Sequence, residues 1–150
     1  MKQKLLVLAA MSTLLLSACS KKTATPNNPN PTSTKPPKEL MVGSWGYVSV
    51  TSDDPDNPNP LDTCGFDDLF IYKADGTWSY DDGTNLCEPG LPPVTGTWNV
   101  DNYPALEINS PQMVYKQENK IIQLDASILK FERKYPQVNS HTMTFIMKRK

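Results

Sequence analysis

The sequence predicts an all-β fold and, more narrowly, an eight-stranded antiparallel up-and-down barrel. Three observations carry this. Between Leu40 and Lys150 no stretch keeps apolar residues at a sustained helical spacing. Instead, short runs rich in aromatic and β-branched residues alternate with clusters of Gly, Asp, Asn and Pro, which punctuate strands. Several junctions are also short enough for hairpins: Ala74-Asp75-Gly76, Asp101-Asn102-Tyr103-Pro104 and Asp125-Ala126-Ser127. Consecutive hairpins make a meander, and eight strands suffice to close it and remove its exposed edges.

Ahead of the barrel the chain reads as export machinery and a tether. Lys2 and Lys4 precede an apolar run from Leu5 to Leu16, and Leu16-Ser17-Ala18 supplies small residues for cleavage, so residues 1–18 are expected to be a signal peptide. The run is shorter than the about 20 apolar residues that span a bilayer. Leu16-Ser17-Ala18-Cys19 resembles the lipobox of bacterial lipoproteins, which implies that Cys19 is lipidated and becomes the new N-terminus. Two or more acyl chains anchor a protein stably, so the membrane is an expected partner. Ser20 is not the Asp that, in the best-studied lipoproteins, retains them at the inner membrane, which favours the outer membrane of a bacterial envelope. Residues 19–39 hold five prolines in the segment up to Lys38 and almost nothing apolar, which predicts an extended, flexible tether. Residues 40–150 are then expected to form one domain.

Strands are predicted near 44–52, 67–73, 77–82, 95–100, 105–109, 113–124, 128–135 and 141–148. Residues two apart on a strand share a face. The inner face therefore takes Trp78 with Tyr80, Trp98 with Val100, Leu106 with Ile108, Ile122 with Leu124, and Leu129 with Phe131. Met143, Phe145 and Met147 alternate with Thr142 and Thr144 in the last strand. The first two strands are apolar on both sides: Trp45 and Tyr47 oppose Val48 and Val50, and Phe70 and Tyr72 oppose Leu69 and Ile71. Either both faces are covered or a bulge switches them.

With Cys19 lipidated, Cys64 and Cys87 remain as an even pair in an oxidising compartment, which predicts a disulfide. Metal binding by the two would need more soft ligands, and the single histidine, His141, is distant in sequence. Asp53 to Asp62 fails as a calcium loop: Pro58 stands where an oxygen ligand belongs, the central Gly is missing, and Gly65 takes the position of the final Glu. From Asp53 to Glu107 there are twelve acidic residues against Lys73 alone, whereas Lys116 to Lys150 holds eight basic and three acidic. An acidic half of this kind argues against a nucleic-acid partner; solvated loops explain it more simply than an ion site.

On these residues the chain resembles the lipocalin-like domain of bacterial lipoproteins of the Bacteroidetes type. The resemblance rests on Gly43-Ser44-Trp45 opening the first strand, Cys64 before Asp67-Asp68-Leu69, the Lys73-to-Thr77 hairpin, Cys87, Gly96-Thr97-Trp98, and a last strand ending in Lys148-Arg149. It implies that Trp45 packs across a closed end and that the other end admits a small apolar ligand. The chain departs from that family in being short and in lacking a recognisable helix after the last strand.

The expected function is accordingly binding of a small apolar or amphipathic molecule by Trp45, Trp78, Tyr80, Trp98, Phe131, Met143 and Phe145. The alternative is that these side chains simply fill the barrel, leaving an envelope structural module that docks a protein partner. No cofactor is expected. Catalysis is not expected either: His141 is alone, no nucleophile elbow or metal-protease motif occurs, and the adjacent pairs Asp67-Asp68 and Asp81-Asp82 point to opposite faces of a strand.

Overall fold

A computed structural model of the chain describes residues 33–87, 92–113, 117–134 and 141–150. The predicted signal peptide, Cys19 and the tether up to residue 32 lie outside them. Within them the alternating segments form β1 Gly43–Ser52, β2 Leu69–Tyr72, β3 Thr77–Asp81, β4 Thr95–Asn99, β5 Ala105–Asn109, β6 Glu118–Leu124, β7 Ile128–Lys134 and β8 Thr142–Arg149. Each pairs antiparallel with the next, and β8 returns to β1, so the sheet is a closed barrel in simple sequence order. Two short helical elements accompany it: α1, Pro37–Met41, and a 3-10 turn, Thr63–Phe66.

Bulges settle the faces that the sequence leaves ambiguous. Pairing of β1 with β8 shifts between Tyr47 and Ser49. Trp45 and Val50 are both buried as a result, while Val48, the extra residue, is 49% exposed. The same device corrects an expectation in β6, where the ladder to β7 shifts between Ile121 and Gln123. Ile121 and Leu124 are the buried pair there, and Ile122, predicted inside, is only half-buried. This strand also begins at Glu118, not at the predicted residue 113. Helix α1 begins ahead of residue 40, because Pro37 at the first helical position pre-sets a turn whose Leu40 and Met41 are buried.

The register distinguishes two ends. At one lie α1, the tight β2–β3, β4–β5 and β6–β7 connections, and the end of β8. There Trp45 is fully buried and its indole N–H donates to the Met41 carbonyl at 2.8 Å. The Arg149 guanidinium lies 4.4 Å from the Trp45 ring centroid and donates to the carbonyls of Val42 (2.6 Å), Ala126 (2.8 Å) and Leu40. One side chain thus ties α1, the β6–β7 turn and β8 across this capped end. At the opposite end the Cys64–Cys87 disulfide links the 3-10 turn to the segment after β3, as predicted.

Candidate functional site

The three tryptophans expected to line a ligand site are each held by a backbone carbonyl. Besides Trp45, Trp78 donates its indole N–H to Asn109 on β5 (3.1 Å) and Trp98 to Lys73 after β2 (3.1 Å). The glycine two residues before Trp98 makes one of these contacts possible. Gly96 pairs with Trp78, and a Cβ there would overlap the Asn109 carbonyl oxygen and crowd the Trp78 indole nitrogen. All three rings are at least 97% buried, so they build the barrel wall and its cap.

Nearer the loop-bearing end the inner face carries a continuous row of rings. Phe70 contacts Tyr80 (centroids 4.9 Å apart) and Tyr47 (5.2 Å), Tyr47 contacts Phe145 (6.0 Å), and Phe145 stacks on Phe131 (4.8 Å). The row crosses β3, β2, β1, β8 and β7, which are successive neighbours around the barrel. Within the row Phe131 and Phe145 are buried, whereas Tyr47, Phe70 and Tyr80, like the neighbouring Met143, are only partly buried; Trp45, Tyr72, Leu124, Leu129 and Met147 are sealed.

The row ends at a cation. Arg133 follows Leu129 and Phe131 on the inner face of β7; its guanidinium carbon is 4.6 Å from the Phe145 ring centroid and 5.4 Å from that of Phe131. Only 9% of Arg133 is exposed. Its Nε donates to Asn119 Oδ1 on β6 (2.8 Å), and Asn119 Nδ2 donates to the Leu106 carbonyl on β5 (3.1 Å). Asn119 thereby spans β5 and β6 where the described ladder between them is only two residue pairs long. Burial pushes the Tyr72 hydroxyl up to about 12, against the opposing field of Arg133.

A carboxylate lies at the same end. Asp68 is buried and accepts a hydrogen bond from the Tyr80 hydroxyl. Burial raises its pKa above the usual carboxylate range, although the Tyr80 bond opposes this, and burial first and then Asp68 raise that of Tyr80. The adjacent Asp67 points elsewhere: its Oδ2 accepts from the Thr84 and Asn85 backbone N–H groups, which lower its pKa. Asp53 accepts from Thr142 N (2.8 Å) and lies 3.1 Å from His141 Nδ1, clasping the entrances of β2's leading loop and β8. Among the described residues, no group of three His, Cys, Asp or Glu is placed to hold a metal ion, and no helix is long and apolar enough to cross a membrane.

Of the seven residues predicted to bind, the structure thus joins Tyr80, Phe131 and Phe145 to the ring row, sets Met143 beside it, and commits Trp45, Trp78 and Trp98 to framework contacts. Sequence reasoning missed Tyr47, Phe70, Asn119 and Arg133. The alternation Leu129, Phe131, Arg133 was the available signal for the last of these, and it continues one step beyond where apolar character stops. Compared with known proteins, the chain matches no family model, no curated protein and no solved structure.

Proposed function

We propose that this chain is a lipid-anchored envelope protein whose lipocalin-like barrel binds a small apolar or amphipathic molecule through its loop-bearing end. The observation that carries the reading is the aromatic row on the inner face near the loop-bearing end, where Tyr47, Phe70, Tyr80 and Met143 are only partly buried, whereas Trp45, Tyr72 and Met147 are sealed. Binding sites are typically concave, apolar and lined by a few placed polar groups, and here Arg133, Asn119 and Tyr80 supply those groups.

The anchor rests on the sequence around Cys19, and the topology is consistent with it. The first described residues, Ser33 to Met41, join the barrel at its capped end. A tether attached there directs the loop-bearing end away from the membrane, at a reach of up to roughly 60 Å if each residue adds about 3 Å. The competing reading is a filled barrel serving as an envelope interaction module, favoured by the three tryptophans that are already spent on framework contacts.

Titration with the neutral dye N-phenyl-1-naphthylamine separates the two. The chain carrying Cys19→Ser, which needs no detergent, is expected to enhance the dye's emission saturably at one site. A linear, unsaturable response, matched by the unfolded chain, would mean the barrel is full.

A further inference from the structure

The inner face carries a buried acid at the loop-bearing end, and its surroundings say which class of amphiphile fits. Resting on the binding reading above, we propose that the ligand is a cationic amphiphile, an apolar body ending in an ammonium group, and that the Asp68 carboxylate receives the ammonium beside the rings of Tyr80 and Phe70.

Asp68 immediately precedes β2, in the same alternation as Phe70 and Tyr72, which places it on the inner face. It is only 4% exposed. Aspartate is rarely taken out of water, because losing hydration around a charge is costly unless a cation and hydrogen bonds replace it. Here the hydrogen bond is supplied and the cation is not. The Tyr80 hydroxyl donates to Asp68 Oδ2, while among the described residues no Lys, Arg or His forms an ion pair with Asp68. Asp82, Asp67 and Asp81 lie close enough to add a negative field. A bound cation offsets both the burial of the charge and this repulsion.

The rings beside Asp68 favour the same sign of ligand. Phe70 lies between Tyr80 (4.9 Å) and Tyr47 (5.2 Å), and all three are only partly buried. Aromatic faces are the negative side of the ring quadrupole and attract cations. An ionised carboxylate offers about four lone-pair sites, and an ammonium brings three donors to them; the Tyr80 hydroxyl occupies one site. Away from bulk water such a charge-assisted pair is strengthened, whereas a neutral hydroxyl gains little and a carboxylate is repelled. The apolar body follows from the same geometry. From Tyr80 the ring row continues through Phe70 and Tyr47 to Phe145 and Phe131, so an alkyl or alicyclic chain seated by its ammonium lies along aromatic rings.

The test uses three ligands of equal chain length, decylammonium, decan-1-ol and decanoate, titrated calorimetrically at neutral pH into the Cys19→Ser chain and into the same chain with Asp68→Asn or Asp56→Asn. Asp68→Asn keeps the shape of the side chain and an acceptor for Tyr80 while removing the charge; Asp56→Asn removes a charge of the same sign from an exposed loop residue. The parent is expected to bind decylammonium about tenfold or more tightly than decan-1-ol, and decanoate weakest of all. Asp68→Asn should bring decylammonium and decan-1-ol within about twofold of each other, and Asp56→Asn should leave the parent's preference in place. Equal affinities for all three ligands in the parent would overturn the cationic class while leaving the binding reading intact. A decylammonium preference that survives in Asp68→Asn would remove Asp68 from the site. A preference lost equally in Asp56→Asn would mean general attraction of a cation to an acidic surface and would refute a placed ammonium site. Failure of every ligand to bind the parent would overturn the binding reading itself.

Discussion

Replacing Arg149 by Met probes the capped end, where one guanidinium joins three segments. Methionine keeps much of the apolar stem over Trp45 but gives up the bonds to Leu40, Val42 and Ala126 and the cation above the ring. A hydrogen bond from a charged donor is worth about 1.5–3 kcal/mol, and a partly exposed cation–ring pair about 0.5–1 kcal/mol. Arg149 is half-exposed, so water recovers part of each term, and a loss of about 3 kcal/mol is expected instead of the full sum. For a folded region of this size that lowers Tm by on the order of 10–15 °C. Urea unfolding followed by far-UV circular dichroism measures it directly, with Arg149→Lys expected to lose less. A loss below about 1 kcal/mol would refute the idea that Arg149 clasps this end. Dye binding at the opposite end should change little in either variant.

Replacing Cys64 and Cys87 together by Ser frees a loop whose closure is worth about 3 kcal/mol in lost unfolded-chain entropy, so the urea midpoint should drop accordingly; an unchanged midpoint would argue that the link adds nothing. Gly96→Ala forces a methyl group against the Asn109 carbonyl and the Trp78 indole, and a destabilisation of about 2–3 kcal/mol is expected from overpacking and a weakened hydrogen bond, readable in the same unfolding curves. Asp68 has a pKa raised above that of the unfolded chain, so its protonated form is favoured by folding, and the stability it contributes is present below the unfolded value near 3.8 and lost as pH rises through the folded value. Asp68→Asn should therefore gain on the parent at neutral pH, and this gain should shrink as the pH falls toward the unfolded value; a gain that grows on acidification would reverse the assignment.

The barrel was legible because strand alternation and hairpin turns are local signals. Met143, Phe145 and Met147 on β8 show it most plainly, and Trp78 with Tyr80 on β3 nearly so. What escaped was set by tertiary pairing. A bulge placed Ile121 instead of Ile122 inside, and nothing in a run of two isoleucines indicates where a partner strand will skip a residue. The seal at the capped end depends on Arg149 meeting carbonyls more than a hundred residues away in sequence. For the site, aromatic character was a sound guide to the inner face but a poor guide to access: Trp45 and Tyr80 both point inward, and only their places along the barrel axis decide which one water reaches. Arg133 was overlooked because a charge in an alternating strand reads as an outward residue until the alternation is followed through it.

The methionines offer the most direct check that a ligand enters the interior from the loop-bearing end. Met143 lies partly exposed at the loop-bearing end of β8, Met147 is sealed further along the same strand, and Met41 is buried in α1. With methyl-labelled methionine in the Cys19→Ser chain, saturating N-phenyl-1-naphthylamine should shift the Met143 methyl resonance most through the dye's ring current, Met147 less, and Met41 not at all. Shifts confined to Met41, or a Met143 resonance that stays in place at dye saturation, would contradict a binding interior entered from the loop-bearing end.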